Sequence, residues 1–143
     1  MKWLDLPPFW LLACLALAWG VPWRAEVGLA GIVGWGLLGL AVVLVVLAVI
    51  PFVRTGTTIV PRRQPTALIR SGIYRVTRNP IYLADVLILL GASLIWGSVL
   101  GLVLVPVFAV LLERRFIRGE EAALHTAFGA AFEKYTCETR RWL

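Results

Sequence analysis

Residues 81–112 read IYLADVLILLGASLIWGSVLGLVLVPVFAVLL, 32 positions with one acid, Asp85, and no base. As a single helix this run would be about 48 Å long, well beyond a hydrocarbon core of about 30 Å. Broken near Trp96-Gly97-Ser98, it becomes two helices over 81–96 and 98–112. The flanking charge decides between these readings. Segment 54–80 carries Arg54, Arg62, Arg63, Arg70, Arg75 and Arg78 with no acid, and the tail carries Arg114, Arg115, Arg118, Lys134, Arg140 and Arg141. A single crossing would put the two basic segments on opposite sides of a membrane. A hairpin keeps both on one side, where the cytoplasmic enrichment of Lys and Arg places them.

Two further apolar runs precede the hairpin. Residues 27–53 are long enough to span with tilt. Gly31, Gly34, Gly36 and Gly39 dot this run, either for close helix contact or as the ordinary glycine enrichment of membrane helices. Residues 7–23 are bounded by tryptophans suited to an interface, and Asp5 and the bulky region 19–23 make a poor signal-peptide cleavage site. The expected architecture is all-α: a polytopic integral membrane protein with four transmembrane helices, the third and fourth as a hairpin, and both termini cytoplasmic. An inner or plasma membrane is expected. Pro106 is expected to kink the fourth span.

Composition agrees. The chain has 143 residues, 60% hydrophobic and 15% charged, with a mean hydropathy of +0.86. Soluble domains are about half apolar and about a quarter charged, so soluble and disordered classes are excluded. The net charge of +6 flanks the apolar runs, and no nucleic-acid partner is expected. Cys14 and Cys137 lack metal or disulfide-framework spacing, and His125 is the sole histidine, so free thiols and no metal are expected. No phosphate-binding loop, nucleophile elbow or dinucleotide fingerprint occurs.

The polar remainder, segments 54–82 and 113–143, holds the chemistry of this single domain. A 27-residue polar stretch such as 54–80 is long for a loop in a compact protein and suggests function. The tail predicts an amphipathic cytosolic helix over about 113–135, with Ile117, Leu124, Phe128, Phe132 and Tyr135 on one face. Glu120 and Glu121 sit on or beside that stripe. Carboxylates held there need partners. The candidates are Arg78, Arg114, Arg115 and Arg118, or a cationic or hydroxyl-bearing ligand. Asn79-Pro80 reads as an N-cap followed by the first residue of a helix. Such a helix start attracts anions, and Arg78 beside it can pair with a carboxylate or phosphate. Asp85 lies one turn further in, either paired, functional or reaching the headgroups.

Residues 66–82, TALIRSGIYRVTRNPIY, and 118–129, RGEEAALHTAFG, followed by Tyr135, resemble the isoprenylcysteine carboxyl methyltransferase and phospholipid methyltransferase superfamily. There the first block reads roughly Gly-x-Tyr-x-x-x-Arg-His-Pro-x-Tyr, and a hydrophobic hairpin separates the two blocks. Asn79 stands where the family usually has His, and Ala84 where Gly is common. The resemblance implies a membrane methyltransferase using S-adenosyl-L-methionine, with a lipid or small hydrophobic acceptor. Carried over by position, Thr66, Ala67, Leu68, Ile69, Tyr74, Arg78, Asn79, Pro80, Tyr82 and Glu120 would line the cofactor. Glu121 would support the site, and Arg115 and Arg118 would lie towards the substrate. Two other readings compete. One is an NADPH-dependent membrane reductase of the sterol-reductase type, with Arg62-Arg63 for a 2′-phosphate. The other is a non-enzymatic membrane scaffold.

Overall fold

Proline at the first turn starts two of the helices, because its missing N–H would be unpaired there in any case. In a computed structural model, which describes residues 6–55 and 67–143, these prolines open α1 (Pro7–Gly20) and α3 (Pro80–Trp96). Between them runs α2 (Gly28–Thr55). After α3 the chain turns within two residues into α4 (Val99–Leu112). Gly97 takes φ +62°, a left-handed conformation that stops α3, and Ser98 caps α4 by accepting from the Gly101 N–H at 3.1 Å. The hairpin thus lies at the expected break. All regular structure among the described residues is helical.

One end of the bundle is tied by the α1–α2 connection. The first helix stops at Gly20 rather than 23, because residues 23–25 pair with the hairpin turn instead. The Ala25 N–H donates to Gly97 O at 2.8 Å, and Val99 N–H to Trp23 O at 3.2 Å. Ser98 Oγ donates to Ala18 O at 2.6 Å, and the Arg24 guanidinium donates to the carbonyls of Trp19 and Trp96. Both connections therefore sit at one end, and the segment 67–79 and the tail lie at the other.

The seam between α2 and α3 explains why small residues punctuate these helices. The buried positions of α2 are Gly34, Ala41, Leu44, Ala48 and Pro51, a spacing of seven, three, four and three. Of the four glycines noted in this helix, Gly34 alone sits in the seam; a Cβ there would stand 2.6 Å from Gly91 O, and one on Gly91 would stand 2.8 Å from Gly34 O. The obstructing atoms are backbone, so only separation of the helices relieves the clash. Gly34→Leu is expected to cost about 1–3 kcal/mol of stability by overpacking. Gly36→Leu should leave stability unchanged, since a Cβ there meets nothing within 4 Å. Thermal unfolding of the two variants in detergent checks this; equal midpoints would contradict the close crossing.

Outside the seam the bundle is apolar to its surface. Leu29, Ile32, Trp35, Val42 and Val53 of α2, and Val103 and Val107 of α4, are more than half exposed. Such a belt suits lipid and not water. Among the described residues, α2 alone is long and apolar enough to cross a membrane by itself. At 14 to 17 residues, the other three reach only about 21–26 Å.

The tail is not one helix. α4 runs into a π-helical turn, Glu113–Ile117, and then α5 (Arg118–Phe128). The wider turn brings the adjacent Phe116 and Ile117 both into the core beside Leu11, Tyr82, Leu89, Phe108 and Leu112. At Gly129 the backbone takes φ +47° and the chain restarts as α6 (Ala130–Glu138). The expected continuous helix over 113–135 is thus divided by the one residue type that tolerates such a φ. The stripe survives the break: Ile117, Phe132 and Tyr135 are buried, and Leu124 and Phe128 half-buried.

Candidate functional site

The start of α3, the stretch 67–79 and the tail helices converge at the end of the bundle opposite the hairpin turn. They enclose a cavity of about 390 Å³, within the roughly 300–1,000 Å³ of small-molecule sites. Its lining includes Ala67, Leu68, Ile69, Tyr74, Arg78, Asn79, Pro80, Tyr82, Glu120 and Glu121. These are all the sequence-derived cofactor positions except Thr66, which lies outside the described residues, as does the Arg62-Arg63 pair. Arg115 and Arg118 do not line the cavity. Arg115 lies 5.5 Å over the Trp10 ring, and Arg118 bonds Glu113 at 3.0 Å. That hydrogen bond holds the Glu113 carboxyl below the usual carboxylate range.

The two adjacent glutamates have different tasks. Glu120 Oε1 accepts from the Tyr82 hydroxyl at 2.7 Å, and the carboxylate lines the cavity. Tyr82 is itself fixed by stacking on Phe116, with ring centroids 6.4 Å apart. Glu121 is an ion-pair node. Its Oε1 accepts from Arg78 Nη2 at 2.9 Å and Arg141 Nε at 3.1 Å, and its Oε2 from Arg141 Nη2 at 2.6 Å. The hydrogen bond to Glu121 raises the Arg141 pKa further. Arg141 also bridges to Glu113 at 2.9 Å. Of the arginines expected to partner Glu121, Arg78 does so. Arg141 was not legible, because no periodicity links it to a residue twenty positions earlier.

Arg78 binds the chain end to the α3 start. Its N–H donates to Arg140 O at 3.0 Å, and Nη1 donates to the carbonyls of Thr136 and Thr139 at 3.1 and 3.0 Å. Its buried Nε has no partner among the described residues. Asn79 occupies the N-cap position of α3, yet its side chain does not cap the helix. The amide Nδ2 donates instead to Arg141 O at 3.0 Å, and Thr77 Oγ1 donates to the same carbonyl at 3.3 Å. The expected capping role is therefore replaced by a strap: residues 139–141 lie across the 77–79 turn, and their carbonyls accept hydrogen bonds from Thr77, Arg78 and Asn79. Trp142 packs on the core beyond.

The remaining walls come from elements the sequence did not connect. Leu6, Pro7 and Pro8 come from the start of α1, Phe52 from the last turn of α2, and Leu124, Phe132 and Tyr135 from the tail stripe. The stripe was visible as periodicity; the contributions of α1 and α2 carried no local signal. Tyr135 donates its hydroxyl to Tyr74 O at 2.6 Å, and burial pushes its pKa up to about 12. It stays a neutral donor at any physiological pH. Asp85 is also in the lining, three residues after Tyr82 and on the same face of α3.

The site thus offers an apolar slot, a carboxylate held by a tyrosine, a helix start and one spare guanidinium N–H. No curated protein and no solved structure matched the chain. The family described as phospholipid methyltransferase matches residues 29–131, from the start of α2 through the tail glutamates. That match covers well over half of the chain and takes in both blocks that carry the resemblance. The chain therefore belongs to the phospholipid methyltransferase family, within the superfamily of membrane methyltransferases like isoprenylcysteine carboxyl methyltransferase.

Proposed function

We propose that the cavity binds S-adenosyl-L-methionine and that the protein methylates a lipid-borne or small hydrophobic acceptor at the cytosolic membrane face. The observation that carries this reading is the convergence of the Glu120–Tyr82 pair and the Arg78–Pro80 turn on one cavity of suitable size. Glu120 suits the ribose hydroxyls or amino group as an acceptor. The buried Arg78 Nε and the first N–H groups of α3, which have no partner inside the helix, suit the carboxylate. Ala67, Leu68, Ile69, Phe52 and Leu124 supply apolar walls for a base. By position Thr66 belongs with them, and Arg115 and Arg118 with the acceptor side. Glu121 acts through Arg78 and Arg141 and not by touching the ligand.

When bound, the cofactor supplies an activated methyl group on a sulfonium. The protein's part is alignment and exclusion of water, which together can account for most of the acceleration of a displacement. Tyr82 keeps Glu120 in one orientation, and the tail helices cover the slot. Four crossings with cytoplasmic termini accord with charge: the cavity end carries Arg70, Arg75, Arg78, Arg114, Arg115, Arg118, Arg140 and Arg141, whereas the connection at the far end carries only Arg24 and Glu26. An inner or plasma membrane is part of the same reading.

Titration calorimetry of detergent-purified protein with S-adenosyl-L-methionine and, separately, NADPH tests this. Saturable micromolar binding of the first alone is expected. Binding of NADPH alone would reassign the site to reduction, and binding of neither would favour a scaffold. Tyr82→Ala should weaken cofactor binding more than Tyr135→Ala, because Tyr82 holds the ligand-facing Glu120 while the Tyr135 hydroxyl holds backbone. The reverse order, in the same titration, would move the ligand away from the Asn79-Pro80 turn.

A further inference from the structure

Asp85 is a carboxylate that the cofactor reading does not use. It lines the cavity beside Ile81 and Tyr82, and no described residue hydrogen-bonds or ion-pairs with it. Every other cavity carboxylate has a protein partner: Glu120 has Tyr82, and Glu121 has Arg78 and Arg141. The position is five residues into α3, about 7–8 Å along the helix from Pro80. It shares the cavity lining with the apolar Leu6, Pro7 and Pro8 at the start of α1. An ionisable group inside an otherwise apolar span is costly, and it usually faces a partner or a substrate path.

We propose that Asp85 is the residue that selects the methyl acceptor, holding a protonated amine and rejecting carboxylate acceptors. The inference rests on the methyl-transfer reading above. A carboxylate at this depth attracts an ammonium group whose alkyl chain lies in the lipid, and it repels an anionic acceptor by like charge. It also removes the obstacle to amine methylation, since an ammonium nitrogen has no lone pair to offer. One N–H bond breaks, the proton passes to an Asp85 carboxylate oxygen, and its electron pair stays on the nitrogen. The products of this step are a neutral amine and a neutral carboxylic acid, with no other reactant needed. The amine is then competent to accept a methyl group from a sulfonium donor.

The test uses full-length protein in neutral detergent, saturated with S-adenosylhomocysteine so that no turnover occurs. Dodecylamine, dodecanoate and dodecanol are the probes, and binding is read by thermal stabilisation and by calorimetry. Wild-type protein is expected to prefer the amine over the acid at least tenfold. Asp85→Asn should abolish that preference while S-adenosyl-L-methionine affinity changes less than twofold. Asp85→Glu should retain the preference, which separates loss of charge from loss of fold. An unchanged preference in Asp85→Asn, or a wild-type preference for the acid or the alcohol, would overturn the proposal. So would a tenfold loss of cofactor affinity in Asp85→Asn, which would place Asp85 against the cofactor. Failure of wild-type protein to bind S-adenosyl-L-methionine at all would instead remove the methyl-transfer reading itself.

Discussion

Glu121→Ala is expected to lower the stability of the detergent-solubilised protein by about 3 kcal/mol, the low end of the range for breaking a buried ion pair from one side. The carboxylate receives a two-pronged contact from Arg141 and a third hydrogen bond from Arg78. Its side chain is 16% exposed and that of Arg78 is 12% exposed, so water compensates little for the loss. The low end applies because both arginines keep other acceptors: Arg78 the carbonyls of Thr136 and Thr139, and Arg141 the Glu113 carboxylate. The strap over the 77–79 turn should loosen, and trypsin should cleave at Arg140 and Arg141 faster than in wild type. Glu121→Gln keeps the shape and one acceptor and should cost less, about 1.5–3 kcal/mol. Unfolding midpoints and cleavage rates measured together check this. A change below about 0.5 kcal/mol, the size of an exposed pair, would contradict the node.

The second large effect falls on binding. Glu120→Ala should weaken S-adenosyl-L-methionine binding about 10- to 150-fold, the equivalent of a charged hydrogen bond of about 1.5–3 kcal/mol. Unfolding should be affected less than by Glu121→Ala, because Glu121 is the carboxylate that Arg78 and Arg141 hold with three hydrogen bonds. Adjacent glutamates thus have opposite expected signatures. Glu121→Ala is a stability variant and Glu120→Ala a binding variant. Calorimetry and thermal unfolding on both proteins read the contrast; the same signature for both would show that the assignment of tasks is wrong.

The parts of the fold that follow from local chemistry were legible. Pro80 begins α3, Gly97 and Ser98 make the hairpin turn, and the apolar runs become helices with ends within a few residues of those expected. The tail was less legible because its two irregularities have no strong sequence mark. A π-helical turn at Glu113–Ile117 leaves no signature in periodicity, and Gly129 reads as a weak helix position until its φ is known. The seam was partly legible. Gly34 was among the small residues singled out, but Ala41 and Ala48 do the same work and alanine draws no notice in a membrane helix. At the site, motif spacing brought out Arg78, Tyr82, Glu120 and Glu121, which lie together in the cavity. What it could not supply was partnership. Arg141 is distant in sequence, and Asn79 looked like a cap because only the tertiary position of Arg141 O diverts its amide.

S-adenosyl-L-methionine is expected in the cavity at the α3 start, beneath the tail helices. Ultraviolet crosslinking of methyl-labelled S-adenosyl-L-methionine to the purified full-length protein, followed by peptide mapping, tests it most directly. The predicted result is saturable labelling confined to peptides from 67–85 and 118–135, competed by S-adenosylhomocysteine and not by NADPH. Labelling at the opposite end, around 19–26 and 96–99, or labelling that does not saturate, would contradict it.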